Sequence, residues 1–438
     1  MTYFGTDGIR QPADKFTPEF LNSIVAGLAD YASTDHKVLI GSDTRESSEW
    51  ILRDLEIALE SVGFEYASVG VLPTPAINYC FYEMGFDFAI DVTASHNPYT
   101  DNGIKIFERG PHSGIKLTTP GVEAIERAIE SHETISPVAT TDRADLHDEA
   151  VHLYAEHVLN YLGTTDLSGL HIGMDCANGA VSVIADSIYK KLGARVRLIH
   201  ADPTYGTGIN HACGSTHLED LTHLVTSEHL DFGVAYDGDG DRTLLVDHEG
   251  EVIDGDQIIA ILANYWNLDS IAVTVMANQG LLNWAAAHNI ATEITAVGDS
   301  NVAEAMALHN IKLGGEQVGH IILPGEPAGD GMLTSLMVAK VVSETKTSLH
   351  DLTSIYEKSP QAIVNLPATP EQKSALKSKD AARTLLLEYD EKLKPIHGRL
   401  LVRPSGTEPL IRITMWGDDL AAITALADEL SSRLAETL

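Results

Sequence analysis

Five apolar runs along the chain each stop abruptly at small and polar residues. Val38-Leu39-Ile40 runs into Gly41-Ser42-Asp43-Thr44-Arg45, followed by helical spacing at Ile51, Leu55 and Leu59. Phe88 to Val92 runs into Thr93-Ala94-Ser95-His96-Asn97-Pro98, and His171 to Asp175 into Cys176-Ala177-Asn178-Gly179 and a helix that ends at Gly193. Phe232 to Tyr236 leads into Asp237-Gly238-Asp239, and Ile271 to Val275 into Asn278-Gln279-Gly280. Short apolar runs alternating with helical patterns predict an α/β fold, in which ligands bind beyond the carboxyl ends of strands. The chemistry should therefore lie in these loops. A length of 438 residues suggests about three domains, or more if they are small. The polar stretches Ser131 to Asp148 and Pro360 to Lys379 read as linkers, with a further break near Gly250.

The formal net charge of −34 argues against nucleic acid or an anionic membrane as the main partner. Local basic clusters can still bind phosphorylated ligands. Cys80, Cys176 and Cys213 are far apart, which fits a reducing compartment and neither a disulfide framework nor a zinc ribbon. The first ten residues lack a basic region followed by an apolar one, and no apolar stretch is long enough to span a bilayer. A cytoplasmic protein is expected.

Within the loops, Ser95 sits in a tight turn that lifts its hydroxyl to the rim of a sheet. A serine there commonly bonds its own backbone, so its meaning depends on its company. Asp237-Gly238-Asp239-Gly240-Asp241-Arg242 sets three carboxylates at alternate positions, with glycines that allow a sharply turned loop. Hard oxygen donors of this kind select Mg²⁺ or Ca²⁺. An EF-hand fails on spacing: counted from Asp237, the sixth residue is Arg242, not Gly, and the twelfth is His248, not Glu. Arg403-Pro404-Ser405-Gly406-Thr407-Glu408-Pro409, with Arg412 beyond, offers guanidinium forks, hydroxyls and backbone amides suited to phosphate. It lacks the ending of a Walker A loop. Gly314 to His320 joins flexible backbone to a carboxylate, an amide and an imidazole, groups that suit sugar hydroxyls. Phe4 to Arg10 is a similar loop near the N-terminus. No G-x-G-x-x-G follows a strand, and there is no H-E-x-x-H.

Taken in order, Thr93 to Pro98, Asp237 to Arg242, Glu316 to His320 and Arg403 to Pro409 resemble the phosphoserine, metal, sugar and phosphate loops of the α-D-phosphohexomutases. Phe4 to Arg10, Asp175 to Ala180, Gly315-Glu316-Gln317 and Ser405 to Arg412 resemble the amino-sugar branch of that family. The resemblance implies three similar α/β/α domains and a smaller α+β C-terminal domain around a central cleft. Their expected spans are 1–148 (phosphoserine), 149–249 (metal), 250–362 (sugar) and 363–438 (phosphate).

It also implies roles. Ser95 would carry the phosphoryl group, and Asp237, Asp239 and Asp241 would hold Mg²⁺ with a phosphoserine oxygen. Arg10, His96, Lys105 and Arg242 would lie at the reacting end, with Lys105 a candidate general base and His96 a positioning residue. Glu316, Gln317 and His320 would meet the sugar. Arg403, Ser405, Gly406, Thr407 and Arg412 would hold the phosphate that is not reacting. The implied reaction interconverts glucosamine 6-phosphate and glucosamine 1-phosphate through a 1,6-bisphosphate, for UDP-N-acetylglucosamine synthesis. A hexose 1,6-bisphosphate would phosphorylate Ser95 beforehand. The expected partner is a sugar phosphate, with no nucleic acid and no membrane, and a homodimer is admitted. Val318 departs from the family loop, where Ser is usual; so do Ser300-Asn301, where Arg-Tyr is common, and Gln11, where Gly is usual. A phosphoglucomutase or phosphomannomutase is the rival within the class. Outside it stand a Mg²⁺-dependent sugar phosphatase and a non-catalytic sugar-phosphate binder, the latter disfavoured because Ser95 and all three loop carboxylates are present.

Overall fold

The computed structural model describes residues 3–32, 36–133, 135, 144–405 and 409–438. Gly406 and Thr407 of the expected phosphate loop, and much of the expected linker 131–148, lie outside the described residues. The chain forms two compact units, Met1–Thr274 with Thr295–Thr353, and Val275–Ile294 with Ser354–Leu438. Among the described residues no helix is long and apolar enough to cross a membrane.

The first unit has the α/β build expected. Its largest sheet centres on Lys37–Ser42, which pairs in parallel with Phe88–Val92 and with Glu65–Val71. Every residue of Phe88–Val92 is buried, as a strand covered on both faces must be. Antiparallel Asp101–Arg109 adds to Phe88–Val92, and Gly8–Pro12 adds beyond it. This register sets Asp91 opposite Lys105, and Arg10 opposite Gly103. The N-terminal loop is thereby drawn beside the loop that ends Phe88–Val92. The helix Glu46–Ser61 follows the central strand; it buries Ile51, Leu55, Ala58 and Leu59 and carries Glu46 and Glu49 in its first turn, where the helix dipole favours them.

A second sheet runs Arg195–Ile199, His171–Asp175, Phe232–Tyr236, Thr243–Asp247, Val252–Ile253. Its first three strands are parallel, so Asp175 and Asp237 both emerge at carboxyl ends on the same side. Further on, Ser270–Thr274 pairs in parallel with Gly314–Gly315, which pairs antiparallel with Ile321–Ile322. The helix Gly255–Tyr265 starts with a capping box between Asp254 and Gln257.

The second unit contains a three-stranded antiparallel sheet in the order Gln361–Pro367, Leu410–Trp416, Arg399–Pro404. Ile411, Ile413 and Met415 alternate inward and meet Ile423, Ala427 and Leu430 of the helix Leu420–Thr437. Arg403 and Arg412 face each other across the strands.

Candidate active site

Ser95 has a φ of +53°, a left-handed conformation that non-glycine residues adopt only when their surroundings hold them there. The holding is polar and buried. The Ser95 amide donates to Thr93 Oγ1 (2.9 Å), and Thr93 Oγ1 donates to Asp43 Oδ2 (2.7 Å). Arg45, fully buried and paired with Asp43 at 2.9 Å, donates to the carbonyls of Ser95 (2.9 Å), Asn97 (2.8 Å) and Asp101 (3.0 Å). Asn210 Nδ2 donates to the Ser95 carbonyl from the other side (2.8 Å). The backbone is thus fixed, and the hydroxyl is left for chemistry.

That hydroxyl donates to Asp237 Oδ2 at 2.8 Å. The close approach depends on Gly238: a Cβ there would stand 2.6 Å from the Ser95 carbonyl. Gly240, at φ +72°, then turns the loop so that Asp239 and Asp241 converge with Asp237. One oxygen from each of the three lies within 4.8 Å of the others, and all three residues are buried. Burial first, then the neighbouring Asp239 and Asp241, raise Asp237 well above the usual carboxylate range. Asp239 Oδ1 and Asp241 Oδ1 are buried and have no hydrogen-bond partner among the described residues. Unsatisfied carboxylate oxygens are costly to bury. Hard oxygen donors converging in this way, with lone pairs unspent, fit a divalent cation such as Mg²⁺.

Lys105 supplies positive charge at the same place. Its Nζ lies 2.7 Å from Asp239 Oδ2, 3.0 Å from Asp241 Oδ2 and 3.0 Å from Asp7 Oδ2. Burial works to lower this amine, but Asp239, Asp241 and Asp7 outweigh it and raise it well above the lysine range. Lys105 is thus drawn, with Arg10, to the carboxylate loop beside Ser95, where it was expected. Asp7 also binds Arg10 Nη2 (2.5 Å) and Lys116 Nζ (2.6 Å), and Lys116 contacts Asp299.

His96 Nδ1 lies 3.1 Å from Ser95 Oγ and 3.0 Å from Arg242 Nη1. Burial, then Arg242 and Arg10, lower the ring to about 3, so it is neutral. An arginine can only donate, so Nδ1 accepts and the proton sits on Nε2. His96 thus reaches the serine hydroxyl although the two are adjacent in sequence. Arg242 Nε lies 3.8 Å from Asp241 and 4.0 Å from Asp237.

The turn Glu316 to His320 closes through Glu316 N–H to the His320 carbonyl (2.9 Å) and Gly319 N–H to the Glu316 carbonyl (2.9 Å). Glu316 Oε1 accepts the Gly298 amide at 3.1 Å. His320 Nδ1 is 3.6 Å from Asp241, which joins this turn to the carboxylate loop. Gln317 accepts the Gly255 amide through its backbone carbonyl (2.9 Å), and Val318 is exposed.

Arg10, Ser95, His96, Lys105, the three aspartates, Arg242, Glu316 and His320 are all in the first unit. Arg403, Ser405 and Arg412 are in the second. There Lys373 Nζ donates to the Ser405 carbonyl (2.8 Å), and Arg412 Nε to Asn365 Oδ1 (3.1 Å). Like charges placed opposite each other in a sheet repel, so the Arg403–Arg412 pair suits an anion. Sequence reasoning missed Asp7, Arg45, Lys116, Asn210 and Asp299. The run Ser42-Asp43-Thr44-Arg45 was a usable signal, since a polar cluster at the end of a buried strand has to be satisfied from within.

Four family models match in order. They are the phosphoglucomutase/phosphomannomutase alpha/beta/alpha domain I (residues 1–136), domain II (152–250), domain III (254–359) and C-terminal domain (368–432). A phosphoglucosamine mutase of Caldicellulosiruptor bescii is 40% identical, covering 99% of both chains. One of Clostridioides difficile is 37% identical, covering 100% of this chain and 99% of its own. Among solved structures, a phosphoglucomutase/phosphomannomutase family protein from Burkholderia thailandensis shares the fold with a TM-score of 0.78 at 20% identity, over 99% and 97% of the two chains. An Aspergillus fumigatus N-acetylphosphoglucosamine mutase, solved with GlcNAc-6P and magnesium, does so with a TM-score of 0.69 at 15% identity, over 100% and 95%. With all four domain models matched in order and full-length relatives at this identity, the chain belongs to the phosphoglucomutase/phosphomannomutase family of phosphohexomutases.

Proposed function

We propose that the protein is a phosphoglucosamine mutase, interconverting glucosamine 6-phosphate and glucosamine 1-phosphate with Ser95 as a reusable phosphoryl carrier. The observation that carries this reading is the buried Ser95 hydroxyl aimed at Asp237 in a chain 40% identical, end to end, to a phosphoglucosamine mutase. In the first transfer the sugar 1-hydroxyl oxygen bonds to the phosphorus on Ser95 and the P–Oγ bond breaks. The hydroxyl loses a proton and Oγ ends as a hydroxyl, so protons balance. The resulting 1,6-bisphosphate turns over, its 6-phosphoryl returns to Ser95, and the 1-phosphate departs.

A phosphoserine carries roughly −1.5 to −2 charges, and a second phosphate must come beside it. Phosphoryl transfer is catalysed chiefly by alignment and charge stabilisation. Arg10 and Arg242 would provide fixed cations, and Lys105 would add charge at the reacting end as the candidate general base. The Arg45–Asn210 clasp keeps Ser95 in place, and neutral His96 lies beside its hydroxyl. Asp237, Asp239 and Asp241 would hold Mg²⁺ with a phosphoserine oxygen, an ion that offsets phosphoryl charge when bound. Glu316, Gln317 and His320 would engage the sugar. Arg403, Ser405, Gly406, Thr407 and Arg412 would hold the distal phosphate on the C-terminal domain, residues 363–438 in the proposed four-part division at 148, 249 and 362. A hexose 1,6-bisphosphate would load Ser95 before the first turnover.

Parallel assays on glucosamine 1-phosphate, glucose 1-phosphate and mannose 1-phosphate, primed with bisphosphate, test the substrate. The amino sugar should have the highest kcat/KM; a far higher value for glucose 1-phosphate would overturn the assignment. Stoichiometric release of inorganic phosphate without isomerised product would mark a phosphatase.

A further inference from the structure

A second set of ligating side chains gathers at the carboxyl end of the second sheet. Asp175 ends the strand His171–Asp175, His200 follows the strand Arg195–Ile199, and Cys213 precedes the short turn Gly214–Thr216. One donor atom from each lies within 4.8 Å of the others. Asp175 and Cys213 are buried and His200 is partly exposed, so the cluster has a solvent-facing side.

Each donor is oriented from behind. Asp175 Oδ1 accepts the Ala177 amide at 2.8 Å, which turns Oδ2 toward His200 Nδ1 at 2.9 Å. His200 Nε2 faces Asp220 Oδ2 at 3.2 Å. A carboxylate behind the second ring nitrogen is the usual support of a metal-binding histidine. Cys213 Sγ makes a long contact, 3.7 Å, to the Gly208 carbonyl, and the backbone N–H groups of Asn210 and His211 also reach the sulfur. An Asp–His ion pair would account for Asp175 and His200, but not for a buried thiol turned toward the same point.

We propose that Asp175, His200 and Cys213 form a binding site for a Zn²⁺-class divalent ion, with Asp220 holding the imidazole from behind. One sulfur, one imidazole nitrogen and one carboxylate oxygen suit zinc, whereas Mg²⁺ and Ca²⁺ want oxygen alone. Binding displaces the Cys213 proton to solvent, and three protein ligands leave a fourth position for water. The ion would brace the segments that clasp the nucleophile loop. Asn178, three residues past Asp175, accepts from Thr44 Oγ1 (2.6 Å), and Asn210, three before Cys213, donates to the Ser95 carbonyl.

The test is a titration of metal-free full-length protein with Co²⁺, a spectroscopic stand-in for Zn²⁺, in excess Mg²⁺ to occupy the Asp237 loop. A thiolate-to-cobalt charge-transfer band should saturate at one equivalent, and Zn²⁺ should abolish it and raise Tm. Cys213→Ser should lose the band, His200→Gln should weaken binding by about 10–100-fold or more, and Asp239→Asn should keep the band. Absence of the band in the unaltered protein, or an equal band in Cys213→Ser, overturns the proposal. Should Cys213→Ser fail to fold by circular dichroism, His200→Gln decides: unchanged Co²⁺ affinity also overturns it.

Discussion

Arg45 clasps the Ser95 loop without facing the reaction, which makes it a sharp test of how the nucleophile is held. Its guanidinium serves the carbonyls of Ser95, Asn97 and Asp101 and pairs with buried Asp43. Arg45→Met keeps much of the volume and removes every donor. Breaking a buried pair by removing one partner costs about 3–5 kcal/mol. At about 2–4 °C per kcal/mol for a domain of 150–250 residues, the first thermal transition should fall by roughly 6–20 °C. A nucleophile displaced by about 1 Å loses on the order of 10²-fold in rate, so kcat should fall by that much in a bisphosphate-primed mutase assay. KM should move far less, because no substrate contact is removed. Asn210→Ala removes a neutral donor and should cost about 1–3 kcal/mol. Both residues donate to the Ser95 carbonyl, and only the double variant removes both donors. The double-mutant cycle should therefore show a coupling of about 0.5–3 kcal/mol. An Arg45→Met protein with unaltered kcat and unaltered Tm would refute the clasp.

Three other outcomes follow from the same geometry. Ser95→Ala should abolish mutase turnover and leave far-ultraviolet circular dichroism unchanged; near-normal activity in a pure sample would remove Ser95 from the mechanism. Lys105→Met takes a cation from among Asp7, Asp239 and Asp241, so Tm without Mg²⁺ should fall and the deficit should narrow when Mg²⁺ is added. A deficit independent of Mg²⁺ would mean that the lysine and the metal do not serve the same carboxylates. Arg412→Ala should raise KM more than it slows phosphorylation of Ser95 by bisphosphate, and the reverse result would take Arg412 out of the phosphate clamp.

Much of the site could be read in the sequence because its parts are local. Thr93 to Pro98 and Asp237 to Arg242 are short loops at strand ends, where spacing alone predicts which groups converge. The supporting residues have no such pattern. Arg45 reaches Ser95 across 50 positions and Asn210 across 115, contacts that only the sheet order creates. Lys105 shows the harder limit. The register that sets Lys105 opposite Asp91 also delivers it to three more carboxylates, a set of neighbours that no local spacing reveals. The Asp175, His200 and Cys213 cluster was invisible for the same reason: its donors come from three separate segments, without a ligand-spacing motif.

The most direct test of the central claim follows the phosphoryl group. The protein is loaded with glucose 1,6-bisphosphate carrying labelled phosphate, separated from free ligand, mixed with unlabelled glucosamine 6-phosphate and quenched at short times. The label should appear first on the peptide containing Ser95, then move to sugar phosphate as glucosamine 1-phosphate forms, with no matching release of inorganic phosphate. Label on another residue, or its stoichiometric release as inorganic phosphate without glucosamine 1-phosphate, would contradict the account.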